Sequence, residues 1–198
     1  MMKLNGLLVR TSCSWWRFAI LAALNAGAFV ILFALEDRFR AITGLPVFDT
    51  QNGLTPELLV QQLPRYQGEA LAAYLYFAAL DFVFPFVAAL FLAVTWALLL
   101  RVTPWLLAWG LPLYALLGAG FDYLENVGLL SVIFLDAPST LLVDTVILFK
   151  RLKLTALALS GALTGVLVVL ALSVFLRRVW RSRLGGGMPE QGVREGLR

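Results

Sequence analysis

From Leu154 to Leu176 the chain runs for 23 residues without a charged side chain. At about 1.5 Å per residue a helix of that length spans the roughly 30 Å of a bilayer's hydrocarbon core. Only helices or closed barrels satisfy their backbone groups in lipid, so this run must be a helix packed among others of its kind. Three further apolar runs share its character. The expected spans are about 18–35, 70–100, 105–135 and 141–176. The fold class is therefore all-α, a four-transmembrane-helix bundle forming one membrane domain over residues 1–176. Residues 177–198 are expected to be a basic, flexible C-terminal tail.

Composition agrees: 61% of residues are hydrophobic and 14% charged, where a soluble domain carries about 25% charged residues. The basic run before span one makes a signal peptide the competing reading of residues 1–35. No small-x-small cleavage site closes that run, so it reads as a span.

The formal charge of +4 does not indicate nucleic acid. Basic residues sit at the ends of apolar runs, where they anchor to headgroups and set orientation. Arg177, Arg178, Arg181 and Arg183 form such an anchor. The N-terminal segment, the 101–104 turn and the tail carry most of the Lys and Arg, and the 136–140 turn carries none. Four spans put both termini and the middle turn on one side, predicted cytoplasmic. Trp15, Trp16, Trp96, Trp105, Trp109 and Trp180 all fall at these predicted inner ends, as interfacial tryptophans do. Lys150, Arg151 and Lys153 fall on the outer side, against the charge rule, and nearby carboxylates would account for them.

The chain has one cysteine, Cys13, and no histidine. An internal disulfide and a CxxC redox pair are excluded. So are His-ligated haem, His-using zinc sites and His-based acid/base chemistry. No cofactor is expected and no metal site is assigned, although a carboxylate-only metal site stays open. The expected surroundings are the lipid bilayer and a membrane-protein partner or homo-oligomer, not nucleic acid.

Residues 36–69 read as a polar connector lying on the bundle. Thr55-Pro56-Glu57 is a helix start, with Thr as N-cap, Pro in the first turn and an acid beside it. The short helix should end near Pro64.

Polar residues interrupt spans two and three. Asp81 lies 20 residues before Arg101 and Asp122 lies 21 after it, so antiparallel neighbours should bring them level. Glu125 and Asn126 follow one turn later on the same face. Lys153, 24 residues before Arg177, should reach that level too. An unpaired charge near the bilayer centre costs about 2.5–3.5 kcal/mol on insertion scales. The acids should therefore be paired with Lys153, Lys150 or Arg151, be protonated, or stand near water. Pro85 cannot donate to the carbonyl of Asp81, so a kink should leave that oxygen free. The free oxygen is either a corner for a cation or hydroxyl, or part of an ordinary kink. Gly118 and Gly120, and the Gly161-x-x-x-Gly165 pair, read as close-packing positions within or between chains. Gly118-x-Gly120-Phe-Asp122 echoes the Gly-x-Gly-Asp of intramembrane aspartyl proteases with one residue inserted, and packing is the preferred reading.

Leu80-Asp81-Phe-Val-Phe-Pro85, Phe121-Asp122-Tyr-Leu-Glu125-Asn126 and the lysine near the start of span four resemble the pattern of a four-helix bacterial integral membrane family of uncharacterised activity. The resemblance covers roughly residues 15–176. It implies that the polar cluster is a family feature and that the protein sits in a bacterial inner membrane. It implies no reaction, and whether the chain is an enzyme stays open. Asp81, Pro85, Asp122, Glu125, Asn126, Lys150 and Lys153 are the candidate site. One function is binding of a small ligand, lipid headgroup or cation. The other is an accessory subunit in which the cluster clamps helices.

Overall fold

The computed structural model describes residues 15–100, 111–135 and 137–185. All the regular structure among them is helical. Six α-helices follow in order: α1 Trp15–Thr43, α2 Pro56–Gln62, α3 Gly68–Asp81, α4 Phe84–Leu99, α5 Ala115–Phe134 and α6 Thr140–Gly185. Short 3-10 turns occupy Phe48–Thr50, Leu63–Arg65 and Leu111–Tyr114. Four stretches are long and apolar enough to cross a membrane: Trp16–Thr43, Gly68–Leu99, Ala115–Phe134 and Thr140–Arg177. They suit a multi-pass membrane protein. Their outward faces carry large apolar residues throughout, among them Val30, Leu141, Leu159 and Val169. Apolar surface on that scale is expected against lipid and not against water.

The boundaries differ from the sequence reading in three places. Span one continues past Leu35 to Thr43, because Leu32 and Phe39 keep burying the same face at helical spacing. It stops where Gly44 takes a φ of +74° and its N–H returns to the carbonyl of Arg40, 2.8 Å away. Span two is two helices, α3 and α4, separated at Phe82 and Val83. Helix α6 continues past Leu176 to Gly185, so Arg177 extends the helix where a flexible tail was expected. Cys13, the 101–104 turn, Trp105, Trp109, Asp136 and residues 186–198 lie outside the described residues.

Helix α5 packs most extensively on α6, α4 packs on α5, and α1 packs on α3 and α4. Helices α1 and α6 scarcely meet. The arrangement is an arc whose two ends leave a seam. Gly128 sets the tightest approach: a Cβ there would collide with Val146 Cγ2, so α5 and α6 come together only because this residue has no side chain. Gly118 is a looser version, where an added Cβ would lie 3.9 Å from Ala156 Cβ. A Cβ on Gly120, Gly161 or Gly165 would meet nothing within 4 Å among the described residues, so none of these three is a packing position among them.

Two apolar cores stack along the bundle. One, at the connector end, includes Phe39, Val47, Phe48, Leu59, Tyr66 and Tyr74 with Leu129 and Val146. The other includes Leu21, Val94, Trp96, Ala97 and Leu167. Trp96 is only 1% exposed and donates its indole N–H to Thr164 Oγ1 at 2.8 Å. It ties α4 to α6 inside the bundle and is no interfacial anchor, a correction to the sequence reading. Trp16 and Trp180 are exposed, as anchors would be.

The connector is more than a covering segment. Thr55 Oγ1 accepts from Leu58 N at 3.3 Å and Pro56 opens α2, so the helix start is as expected. But Val47, Phe48 and Leu59 are fully buried. Phe48 stacks on Tyr66, with ring centroids 4.2 Å apart, and the Phe48 N–H donates to Tyr66 Oη at 3.0 Å. Burial pushes the Tyr66 phenol above its ordinary range, with the charge of Asp49 adding to the effect. These contacts seat Phe48–Thr50 in the end of the bundle like a stopper.

Candidate functional site

Asp81 ends α3 because Pro85, four residues on, has no N–H to offer its carbonyl. The amide of Asn126 replaces it. Asn126 Nδ2 donates to Asp81 Oδ2 at 2.8 Å and lies 3.4 Å from the Asp81 carbonyl oxygen. One side chain from α5 thus caps a broken helix and holds its last carboxylate. The expected free carbonyl exists, and a neighbouring amide takes it up.

The register argument from the sequence puts the right residues together. Lys153 Nζ donates to Asp122 Oδ1 at 2.7 Å and lies 2.5 Å from Glu125 Oε2. Lys150 Nζ donates to Glu125 Oε1 at 3.2 Å. The choice between the two lysines therefore resolves to both, with Glu125 bridging them. Arg151 is exposed on the far side of α6. Spacing explains the difference. Lys150 and Lys153 are three residues apart on one helical face, and Arg151 points about 130° away from its midline.

The cluster has two compartments. Glu125 is 0% and Lys150 4% exposed, and neither borders open space. Lys150 also donates to the backbone carbonyls of Phe48 and Asp49, at 2.8 and 2.7 Å. All three of its protons are used, one on Glu125 and two on the connector. This lysine fastens α6 to α5 and to the stopper above them. Asp81, Asp122 and Lys153 instead line a cavity of about 280 Å³. Pro85 lines it as well.

Four further polar residues line the cavity, and none was among the sequence candidates: Glu36, Asp49 and Thr50 at this end and Ser160 at the other. Glu36 Oε1 accepts from Arg40 at 2.9 Å and from Thr50 Oγ1 at 2.7 Å. Asp49 Oδ2 accepts from Tyr74 Oη at 3.2 Å, while its Oδ1 is buried with no hydrogen-bond partner among the described residues. One signal was available. Glu36 and Arg40 are spaced i, i+4 on a continuing helix, so Glu36 belongs to span one and not to a loop.

Below this polar end the cavity is apolar apart from Ser160. Its walls are Phe29 and Phe33 from α1, Phe84, Ala88 and Leu92 from α4, and Leu154 and Leu157 from α6. Among the described residues no three Asp, Glu, His or Cys side chains stand close enough together to hold a metal ion. The carboxylates surround a space and do not converge on a point.

Set against protein-family models, curated proteins and solved structures, the chain matches none of them. The functional reading therefore rests on this geometry alone.

Proposed function

We propose that the chain is a four-span protein of a bacterial cytoplasmic membrane, with both termini cytoplasmic. Its function is to hold a small ligand in the cavity between Asp81, Asp122 and Lys153. The observation that carries this reading is the division of the polar cluster. A pure helix clamp has no use for charged side chains around open space, because each loses hydration without gaining a full set of partners. Lys150, Glu125 and Asn126 meet the clamp requirement by themselves. Asp81, Asp122 and Lys153 face the cavity in addition, where polar groups at mid-bundle mark ligand sites in membrane proteins.

The accessory-subunit reading has one observation in its favour. Gly161 and Gly165 face outward with nothing opposite them, as they would on a helix awaiting a partner. Native mass spectrometry of the chain purified gently from its own membranes separates the two, beside the Asp81→Asn, Asp122→Asn double variant. A small molecule kept by the wild type and lost by the variant supports the binding site. A stoichiometric protein kept by both, with no small molecule in either, overturns it. Orientation has its own test at Cys13: a membrane-impermeant maleimide should leave it unlabelled in intact cells. Efficient labelling would reverse the topology.

A further inference from the structure

The cavity has a direction. On α1 its lining runs from Glu36 back to Phe29, on α5 from Asp122 back to Ala115, and on α6 from Lys153 on to Ser160. Each interval is seven residues, about 10 Å at 1.5 Å per residue. On the second span it begins at Phe77, one turn before Asp81, and from Asp81 on to Leu92 it covers about 16 Å by the same measure. These spans alternate in direction, so all of them put their charged residue, Glu36, Asp81, Asp122 or Lys153, toward the connector end and a chiefly apolar lining toward the other. The result is a shaft parallel to the helices, and so parallel to the lipid chains around them. Its head is polar, and its shaft is lined chiefly by apolar side chains. The stopper at Phe48–Thr50 closes the head end, and the core around Trp96 and Leu167 lies beyond the foot.

The shaft has a side door. Helices α1 and α6 scarcely touch, and four apolar residues that line the cavity from them, Phe29, Phe33, Leu154 and Leu157, are also exposed. Phe33 is 52% and Leu157 54% exposed. A molecule dissolved in the bilayer meets this seam directly.

The head selects by charge. Five carboxylates, of Glu36, Asp49, Asp81, Asp122 and Glu125, gather at this level with three cations, Arg40, Lys150 and Lys153. The Asp49 oxygen without a partner is an acceptor. An anionic head would meet repulsion from the carboxylates. A metal ion would lack the convergent ligands it needs. An ammonium group is compact, carries several donors, and matches a wall in which carboxylates outnumber the one lysine. Resting on the ligand-site reading above, we infer that the occupant is a single-chain amphiphile with an amine head. It enters sideways from the lipid between α1 and α6 and seats its nitrogen among Asp49, Asp81 and Asp122.

The test uses the full chain in phosphatidylcholine nanodiscs, offered dodecylamine, dodecanol or sodium dodecanoate and read by native mass spectrometry. Dodecylamine should be retained at one per chain, at least tenfold more tightly than dodecanol, and dodecanoate should not be retained. Asp122→Asn should weaken dodecylamine at least tenfold. Leu157→Trp and Ala88→Leu, which fill the shaft from its lipid-facing and inner walls, should each abolish retention. Thermal unfolding establishes that these variants remain folded. If dodecanoate binds as well as the amine, or butylamine as well as dodecylamine, the amine-amphiphile inference is overturned. The ligand site survives that result provided the filling variants still block uptake. If no probe is retained while a molecule from the native membrane is, this inference fails alone. If neither is retained, the inference and the ligand-site reading fail together.

Discussion

Lys150 and Lys153 stand one turn apart on α6 and share Glu125, yet they serve different halves of the molecule. Lys150 is closed in by Glu125 and by two connector carbonyls, so everything it touches is fixed structure. Lys153 touches Asp122 and Glu125 and borders open space. The same residue type on the same helical face is a fastener in one position and part of a cavity wall in the other. What decides is the element lying across it. The stopper Phe48–Thr50 covers Lys150, and at Lys153 the gap between α1 and α6 begins. A buried charge is therefore no functional marker by itself. A buried charge that faces an unfilled volume is a stronger one.

The comparison breaks most directly at the lysines. Lys150→Met leaves Glu125 with one partner fewer and takes the lysine from two connector carbonyls, of which that of Phe48 keeps only the Gln51 N–H, and should cost about 3–5 kcal/mol of stability. Lys153→Met leaves Asp122 beside the cavity and Glu125 still paired with Lys150, and should cost about 1–3 kcal/mol. Unfolding by SDS titration in mild detergent compares the two. Equal losses would show that the compartments are not distinct. Removing both partners, in Lys150→Met with Glu125→Leu, should recover part of the loss, because apolar pairs replace buried ion pairs well.

Glycines sharpen the same contrast between packed and unpacked faces. Gly128→Val forces the α5–α6 seam apart against Val146 and should destabilise by about 1–3 kcal/mol. Gly161→Val, on the same long helix but with nothing opposite it, should lie within about 0.5 kcal/mol of wild type in detergent. A large loss at Gly161 would mean that a partner or second copy packs there, favouring the accessory-subunit reading.

The sequence made the all-helical class, the four stretches long and apolar enough to span, and the meeting of Asp81, Asp122, Glu125, Asn126 and the lysines legible. All of these follow from counting along helices. Charge-free length identifies a span, and equal distances from a turn place residues level. What stayed hidden is what helix counting does not reach. Asp49 and Thr50 come from a connector whose fold depends on the Phe48–Tyr66 stack, a contact between residues 18 apart in an irregular segment. Trp96 sits near a helix end, where interfacial tryptophans belong, yet α6 covers it because that helix is long enough to reach past it. Gly161 and Gly165 have the spacing of a packing seam and face outward. Gly128 has no small partner at that spacing and makes the tightest contact. Spacing says which residues share a face, and only the tertiary arrangement says whether the face is covered.

The stopper gives the smallest and most selective effect. Because burial raises the Tyr66 phenol, the folded chain holds that proton more tightly than the unfolded chain does. The stability this contributes is complete below the ordinary tyrosine value of about 10 and is lost as pH rises beyond it. Tyr66→Phe removes that alkaline loss along with the acceptor for the Phe48 N–H. The variant should be lower by about 0.5–1.5 kcal/mol at neutral pH and should converge on wild type above pH 10. Unfolding midpoints measured from pH 7 to 11 test this. Parallel curves would mean that Tyr66 does not hold its proton against solvent, and so that the connector is not seated in the bundle. In that case Lys150 would lose its carbonyl partners, and the distinction between the two lysines would go with them.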